Sequence, residues 1–279
     1  MMNHFKTVAL LGLLSGLLIA VSYAIGGTTG AFFGVILAAI TNFGSWYYSD
    51  RIALTAYGAK PVTPAQAPEL AMMVQTLSDR AGLPMPALYI VPSQSANAFA
   101  TGRDPDHAAV AVTQGIISLL PADELEAVIA HELSHIQNRD TLTQAVAATI
   151  AGGISFLAQM AFWFLPIGRD DNGSNPFAGL LMLIVAPVAA TVIQLGISRT
   201  REFAADAGAA QLTGNPRALA RALQRLDQNA RQLPLNGNPA FEPLLIMNGF
   251  SGKKFTSKLF STHPTTEARI ERLLQLEGK

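Results

Sequence analysis

The amino-acid sequence predicts a mainly α fold with a small β-sheet, an α+β body carried on four transmembrane helices. Three observations lead there. Half of the 279 residues are apolar, only 14% are charged and the mean hydropathy is +0.31, whereas a soluble domain carries about a quarter charged residues. The charges are also unevenly placed: none occurs between Lys6 and Asp50, between Asp140 and Arg169, or between Asp171 and Arg199. Between and after these stretches, patterns of helical and strand period alternate with turn residues.

The first charge-free stretch is long enough for two spans, since about 20 residues at ~1.5 Å rise cross a hydrocarbon layer roughly 30 Å thick. Gly26, Gly27, Thr28, Thr29 and Gly30 divide it at a turn. The spans are expected near 6–25, 31–49, 143–168 and 176–198, with Trp46, Tyr47 and Tyr48 at an interfacial aromatic belt. Ser22-Tyr23-Ala24 resembles a signal-peptide cleavage site, but a second apolar segment follows at once, which favours a span hairpin. Lys6, Arg51, Lys60, Arg139, Arg199 and Arg201 flank the spans on one side, so the positive-inside rule puts both termini and residues 50–140 in the cytoplasm. Four parts result: a transmembrane hairpin (1–49), a water-facing part (50–140), a second pair of spans (141–198) and a C-terminal water-facing part (199–279).

Within the water-facing parts, Pro64 opens a helix that Gly82 closes. Ala87 to Pro92, Ala96 to Thr101 and Ala108 to Thr113 read as short strands, the last two joined by a Gly-Arg-Asp-Pro-Asp loop. A helix is expected from Pro121 to Asn138, with Ala122, Leu125, Val128, Ile129 and Leu133 at three- and four-residue spacing. Another should run from Asn215, an N-cap followed by Pro216, to about Ala230, and a last one should begin near Pro264 or Thr265.

The strongest chemical signal is His131-Glu132-Leu133-Ser134-His135. Positions i and i+4 share a helix face, so both imidazoles can meet one metal ion, and Glu132 beside them can take a proton from a water in the open position. Catalytic zinc needs a third ligand. A histidine six residues after the second is one solution, but that position is Thr141. The alternative is a carboxylate from a later helix, and Glu202 is the candidate, with Asp206 one turn beyond to accept the free N–H of a ligating histidine. Alone, Glu202 and Asp206 would pass for a solvated helix face; the upstream motif is what turns them into ligand candidates.

Together these residues resemble the HtpX-like membrane metalloproteases, relatives of the endoproteases that process prenylated proteins. The resemblance covers nearly the whole chain, and Asn97-Ala98-Phe99-Ala100-Thr101-Gly102 matches the motif ahead of the zinc helix. It implies a gluzincin-like protease domain with one Zn2+ per chain, in the bacterial inner (plasma) membrane, multi-pass, with its active site facing the cytoplasm. It further implies hydrolysis of misfolded or damaged membrane proteins under stress. Asn97, Ala98 and Phe99 become substrate-binding candidates, because an edge strand offers its backbone to an extended peptide. An internal hairpin strand with Asn97 at its turn is the competing reading. His263, in a histidine-proline pair, and Arg201 are candidate transition-state stabilisers.

Unfolded or membrane-protein substrates and membrane lipid are the expected partners, and the sequence sets no oligomeric state. With zero net charge, nothing points to nucleic acid, and the absence of cysteine removes disulfides and thiolate chemistry. A processing protease for one defined substrate would differ only in specificity. A non-catalytic membrane adaptor with structural zinc is the main alternative from another class, and it leaves Glu132 without a purpose. A transporter fits less well, because no acidic residue lies deep in an expected span.

Overall fold

The computed structural model describes residues 2–151, 199–235, 241, 244–247 and 264–277. Helix α1 (Met2–Tyr47) is two helices in succession, broken at Gly26 (φ −128°, ψ 16°) and Gly27 (φ 58°, ψ −143°), the second a conformation open to glycine. Its halves fold against each other, and a Cβ on Gly30 would strike the Ser22 carbonyl oxygen. Asn42 bridges the halves, donating to Ser15 Oγ at 2.7 Å and to the Leu11 carbonyl at 3.3 Å. Among the described residues one helix, Gly26–Tyr47, is long and apolar enough to cross a membrane. Its Phe32, Phe33, Ile40 and Phe43 are each at least 60% exposed. The expected third and fourth spans lie outside the described residues except for 143–151, which belong to an apolar helix, so four spans are not established.

The body follows as α2 (Ser49–Ala56), β1 (Lys60–Pro61), α3 (Pro68–Ala81), β2 (Ala87–Val91), β3 (Ala98–Gly102), a 3-10 turn (Pro105–His107) and β4 (Ala108–Thr113). Then come α4 (Gln114–Leu119), α5 (Ala122–Gln137), α6 (Thr141–Ala151), α7 (Arg199–Thr213), α8 (Pro216–Gln232) and α9 (Thr266–Leu274). The helix expected from Pro64 begins at Pro68 instead. Thr63 donates its N–H to Gln66 Oε1 at 2.8 Å, which holds the intervening residues in a turn. Asn215 caps α8 by accepting from the Ala218 N–H, as its sequence position implied.

The strands form one mixed sheet in the order β1-β2-β4-β3, with β2 and β4 parallel and the outer pairs antiparallel. One face, carrying Leu88, Ala98, Ala100, Val110 and Val112, packs on α3, α5 and α8. The other, carrying Val91, Phe99, Ala109 and Ala111, is covered by Ala53, Leu54, Tyr57, Val146 and Leu245. Strands β3 and β4 are buried on both faces along their whole length, which is why they read as apolar runs. Strand β3 is an edge, and it borders α5.

Candidate metal centre

Pro121 stands ahead of the first turn of α5, and Asp123 and Glu124 complement the positive end of its dipole. Every residue from Ala127 to Ile136 is buried. The motif histidines are therefore held in a dry interior. Helix α7 comes close to α5 because Gly208 has no side chain: a Cβ there would lie 2.5 Å from Ser134 Oγ. This approach brings Glu202 and Asp206, one turn apart, against the two rings.

His131 Nε2 and His135 Nε2 face each other at 3.2 Å. The Glu202 carboxylate lies 3.8 Å from the first and 3.5 Å from the second. Ligand atoms bound tetrahedrally at about 2.0–2.1 Å are about 3.3 Å apart, so the three donors stand within a few tenths of an ångström of a zinc cradle. Two facing imine nitrogens can share at most one proton, and with Glu202 they form a group that could hold a metal ion. The surrounding charge agrees: four buried carboxylates (Glu132, Asp140, Glu202, Asp206) meet two buried guanidinium groups (Arg201, Arg269). The excess of two negative charges matches one divalent ion.

Each ring is turned by a carboxylate. His131 Nδ1 is 3.0 Å from Asp206 Oδ1, and His135 Nδ1 is 3.2 Å from Asp140 Oδ2. Each carboxylate is in turn held by an arginine. Arg269 grips Asp206 bidentately at 2.7 and 3.0 Å, and Arg201 Nη1 reaches Asp140 Oδ1 at 3.4 Å. Asp140 and Arg269 were not singled out from the sequence. Asp140 follows a helix end where Arg139 adopts φ 56°, a turn that no residue type announces. Arg269 is separated from His131 by 138 positions. The one local hint is that it occupies an inward position of α9, in register with buried Leu273.

Burial pushes the Glu132 carboxyl up to about 7, and the Glu202 charge adds to this, against the opposing pull of His135 and the Ala100 N–H. Burial likewise holds His131 down to about 4, in spite of its bond to Asp206. Burial disfavours a charged His135 as well, but the Asp140 hydrogen bond and the Glu202 and Glu132 charges outweigh it and raise the ring to about 8. For Asp206 burial works upward, yet Arg269 and His131 hold it below the usual carboxylate range.

Strand β3 supplies the border. The Ala100 N–H is turned toward Glu132 and favours its charged form. Asn97 and Ala98 are occupied by the chain itself: Asn97 Nδ2 donates to the Met247 carbonyl at 3.1 Å, and the Ala98 carbonyl accepts from the Ile246 N–H at 3.0 Å. Arg269 Nη1 donates to the Ile246 carbonyl at 3.1 Å, joining this segment to the centre. The Phe99 side chain points to the opposite, apolar layer, 5.3 Å from the Tyr57 ring. Of the expected site residues, His131, Glu132, His135, Glu202, Asp206 and Arg201 come together here. His263 lies outside the described residues.

Two histidines one turn apart, a buried carboxylate beside the first, and a further carboxylate brought in by a second helix form a group that could hold a metal ion, the arrangement of a metallopeptidase. The comparisons give the particular family. The model of peptidase family M48 matches residues 64–277, and the chain belongs to that family. It is 68% identical over 281 residues to a protease HtpX homolog of Trichormus variabilis, covering 99% of this chain and 97% of the relative. A protease HtpX homolog of Pyrococcus furiosus is 49% identical over 275 residues, covering 97% and 95%. The crystal structure of S. mikatae Ste24p superposes with a TM-score of 0.51 at 19% identity, covering 97% of this chain and 65% of that one, a likeness of fold.

Proposed function

We propose that this metalloprotease is a membrane-anchored endopeptidase that holds one Zn2+ through His131, His135 and Glu202 and uses Glu132 as its general base. The observation that carries the reading is the place of Glu132: a buried carboxylate directly beside the two facing rings, with a strand N–H turned toward it. A carboxylate held there is placed to take a proton from a water and return it. A purely structural metal site, as in an adaptor, has no use for it.

Zinc held there would supply Lewis acidity toward a carbonyl oxygen and bring the pKa of water to about 7. The residues do the rest. Glu132 removes a proton from the water as its oxygen bonds to the carbonyl carbon, then gives that proton to the nitrogen as the C–N bond breaks. The Ala100 N–H keeps the carboxylate aimed, while Asp206 and Asp140 fix the ring tautomers so that both Nε2 atoms remain free to bind. We assign β3 as the substrate strand, with Asn97 and Ala98 fixing its rim through the segment they anchor and Ala100 and the residues after it lying nearest the scissile bond. The Phe99 side chain holds the strand to the layer behind. Arg201 is engaged with Asp140, which leaves His263 as the proposed donor to the oxyanion.

The apolar span Gly26–Tyr47 and the basic residues flanking the charge-free stretches support a plasma-membrane location with the centre on the cytoplasmic side. The four-part division at 49, 140 and 198 follows from the same pattern. Misfolded or damaged membrane proteins are the proposed substrates, as the resemblance of the sequence to the HtpX-like proteases implies. The test is zinc content and cleavage of an unfolded protein by wild type and Glu132→Gln side by side. Both should hold zinc, with cleavage reduced about 10²–10⁴-fold in the variant. Equal cleavage by the two would remove Glu132 as the base.

A further inference from the structure

One short strand joins the centre to the edge of the apolar span. Strand β3 runs along α5 with the Ala100 N–H turned toward Glu132, and it ends two residues later at Gly102, about 7 Å further along at a strand's rise. The Gly102 carbonyl accepts from Thr141 Oγ1 at 2.9 Å, and Thr141 opens the apolar helix α6. The next residue, Arg103, lays its guanidinium over the Tyr47 ring, 4.9 Å from the centroid. Tyr47 belongs to a cluster at the end of the span in which Phe43, Trp46, Tyr47 and Tyr48 are 39–60% exposed. Exposed aromatic rings gathered at the end of an apolar helix mark the water–hydrocarbon interface. Thr7 and Thr143, with their hydroxyls 3.0 Å apart, tie α1 to α6 at that level. The distance from the catalytic carboxylate to the bilayer surface is thus set by two residues of β3 and one arginine–tyrosine contact.

We infer that this arrangement is a ruler: the enzyme takes extended segments that adjoin a membrane span and cuts them about three to six residues from the bilayer surface. The inference rests on the protease and membrane readings above and narrows their substrate class. The start of β3 is closed by Ile246 and Met247, so a peptide lies beside its Ala100–Gly102 end, which delivers one end of the peptide to Arg103 and Tyr47, where a chain leaving the hydrocarbon emerges. A span also confines its own tail near the enzyme, and tethering at a millimolar effective concentration lets weak backbone pairing suffice.

The test uses full-length, zinc-loaded protein in phospholipid vesicles with a single-span substrate that carries an unfolded tail. A second substrate has a flexible spacer of about ten residues between span and tail, and the third is the tail alone. Cleavage sites are mapped by mass spectrometry. The ruler predicts that cuts stay at a constant distance from the span and so move into the spacer. If the cuts stay with the tail sequence, about ten residues further from the span, the ruler is wrong although the protease stands. An enzyme that leaves the detached tail and both tethered substrates intact overturns the protease reading and the ruler with it.

Discussion

Arg269 does for Asp206 what Arg201 does for Asp140, but it is the more deeply committed of the two. It is 1% exposed and makes two short bonds to Asp206. Removing one partner of a buried ion pair leaves an uncompensated charge and costs about 3–5 kcal/mol. Arg269→Leu should therefore be strongly destabilised at neutral pH. In the wild type the folded pKa of Asp206 is depressed, so its contribution is complete above the unfolded value of about 3.9 and is lost as pH falls through the lower folded value. In Arg269→Leu the buried carboxyl has a raised pKa, and the sign reverses: protonation at low pH relieves the misplaced charge. The stability gap between variant and wild type should be widest near pH 7.5 and narrow toward pH 4.5. Thermal melts at the two pH values check this, and an unchanged gap would mean that Arg269 matters through packing volume.

At the level of elements, the spacing of α5 and α7 sets the ligand distances, and Gly208 sets that spacing. Gly208→Ala would press a methyl group against Ser134, whose Oγ and Cβ lie 2.5 and 3.0 Å from it. The helices should part by a few tenths of an ångström, carrying Glu202 away from the rings while the fold survives. Zinc affinity, read by competition with a chelator, should fall about tenfold. Ser134→Ala in the same protein should restore part of it, because the nearer contact is removed. No loss in the single variant would show that the cradle is fixed elsewhere. This also indicates what the sequence can convey. His131 and His135 were legible because i, i+4 spacing on one helix places both rings without tertiary knowledge. The strands Ala87–Val91 and Ala108–Thr113 were legible as bounded apolar runs. Helix α2 was not, since it continues from the aromatic belt with no proline or glycine to separate it, and two-residue β1 is too short to carry a period. The capping of Asn97 and Ala98 by Ile246 and Met247 is a pairing across 150 positions, and nothing local encodes it.

For the whole molecule, the balance of buried charge should make metal binding stabilise the fold. Without a divalent ion, the buried centre holds two more carboxylates than guanidinium groups, and it must take up protons or repel itself. Burial already drives Glu132 toward protonation at about 7, and the facing rings have room for at most one proton between them. Metal binding to the folded state alone stabilises by RT ln(1 + [L]/Kd), about 4 kcal/mol at a thousandfold excess over Kd. Chelation should therefore lower the Tm of the detergent-solubilised protein by several degrees. Glu132→Gln should respond as the wild type does, because it keeps His131, His135 and Glu202, the proposed ligands. Glu202→Ala should melt at nearly the same temperature with or without chelator, having little bound metal to lose. A Tm indifferent to chelation in the wild type would mean that the carboxylates are balanced by protons, with the metal a guest in a cavity that folds without it.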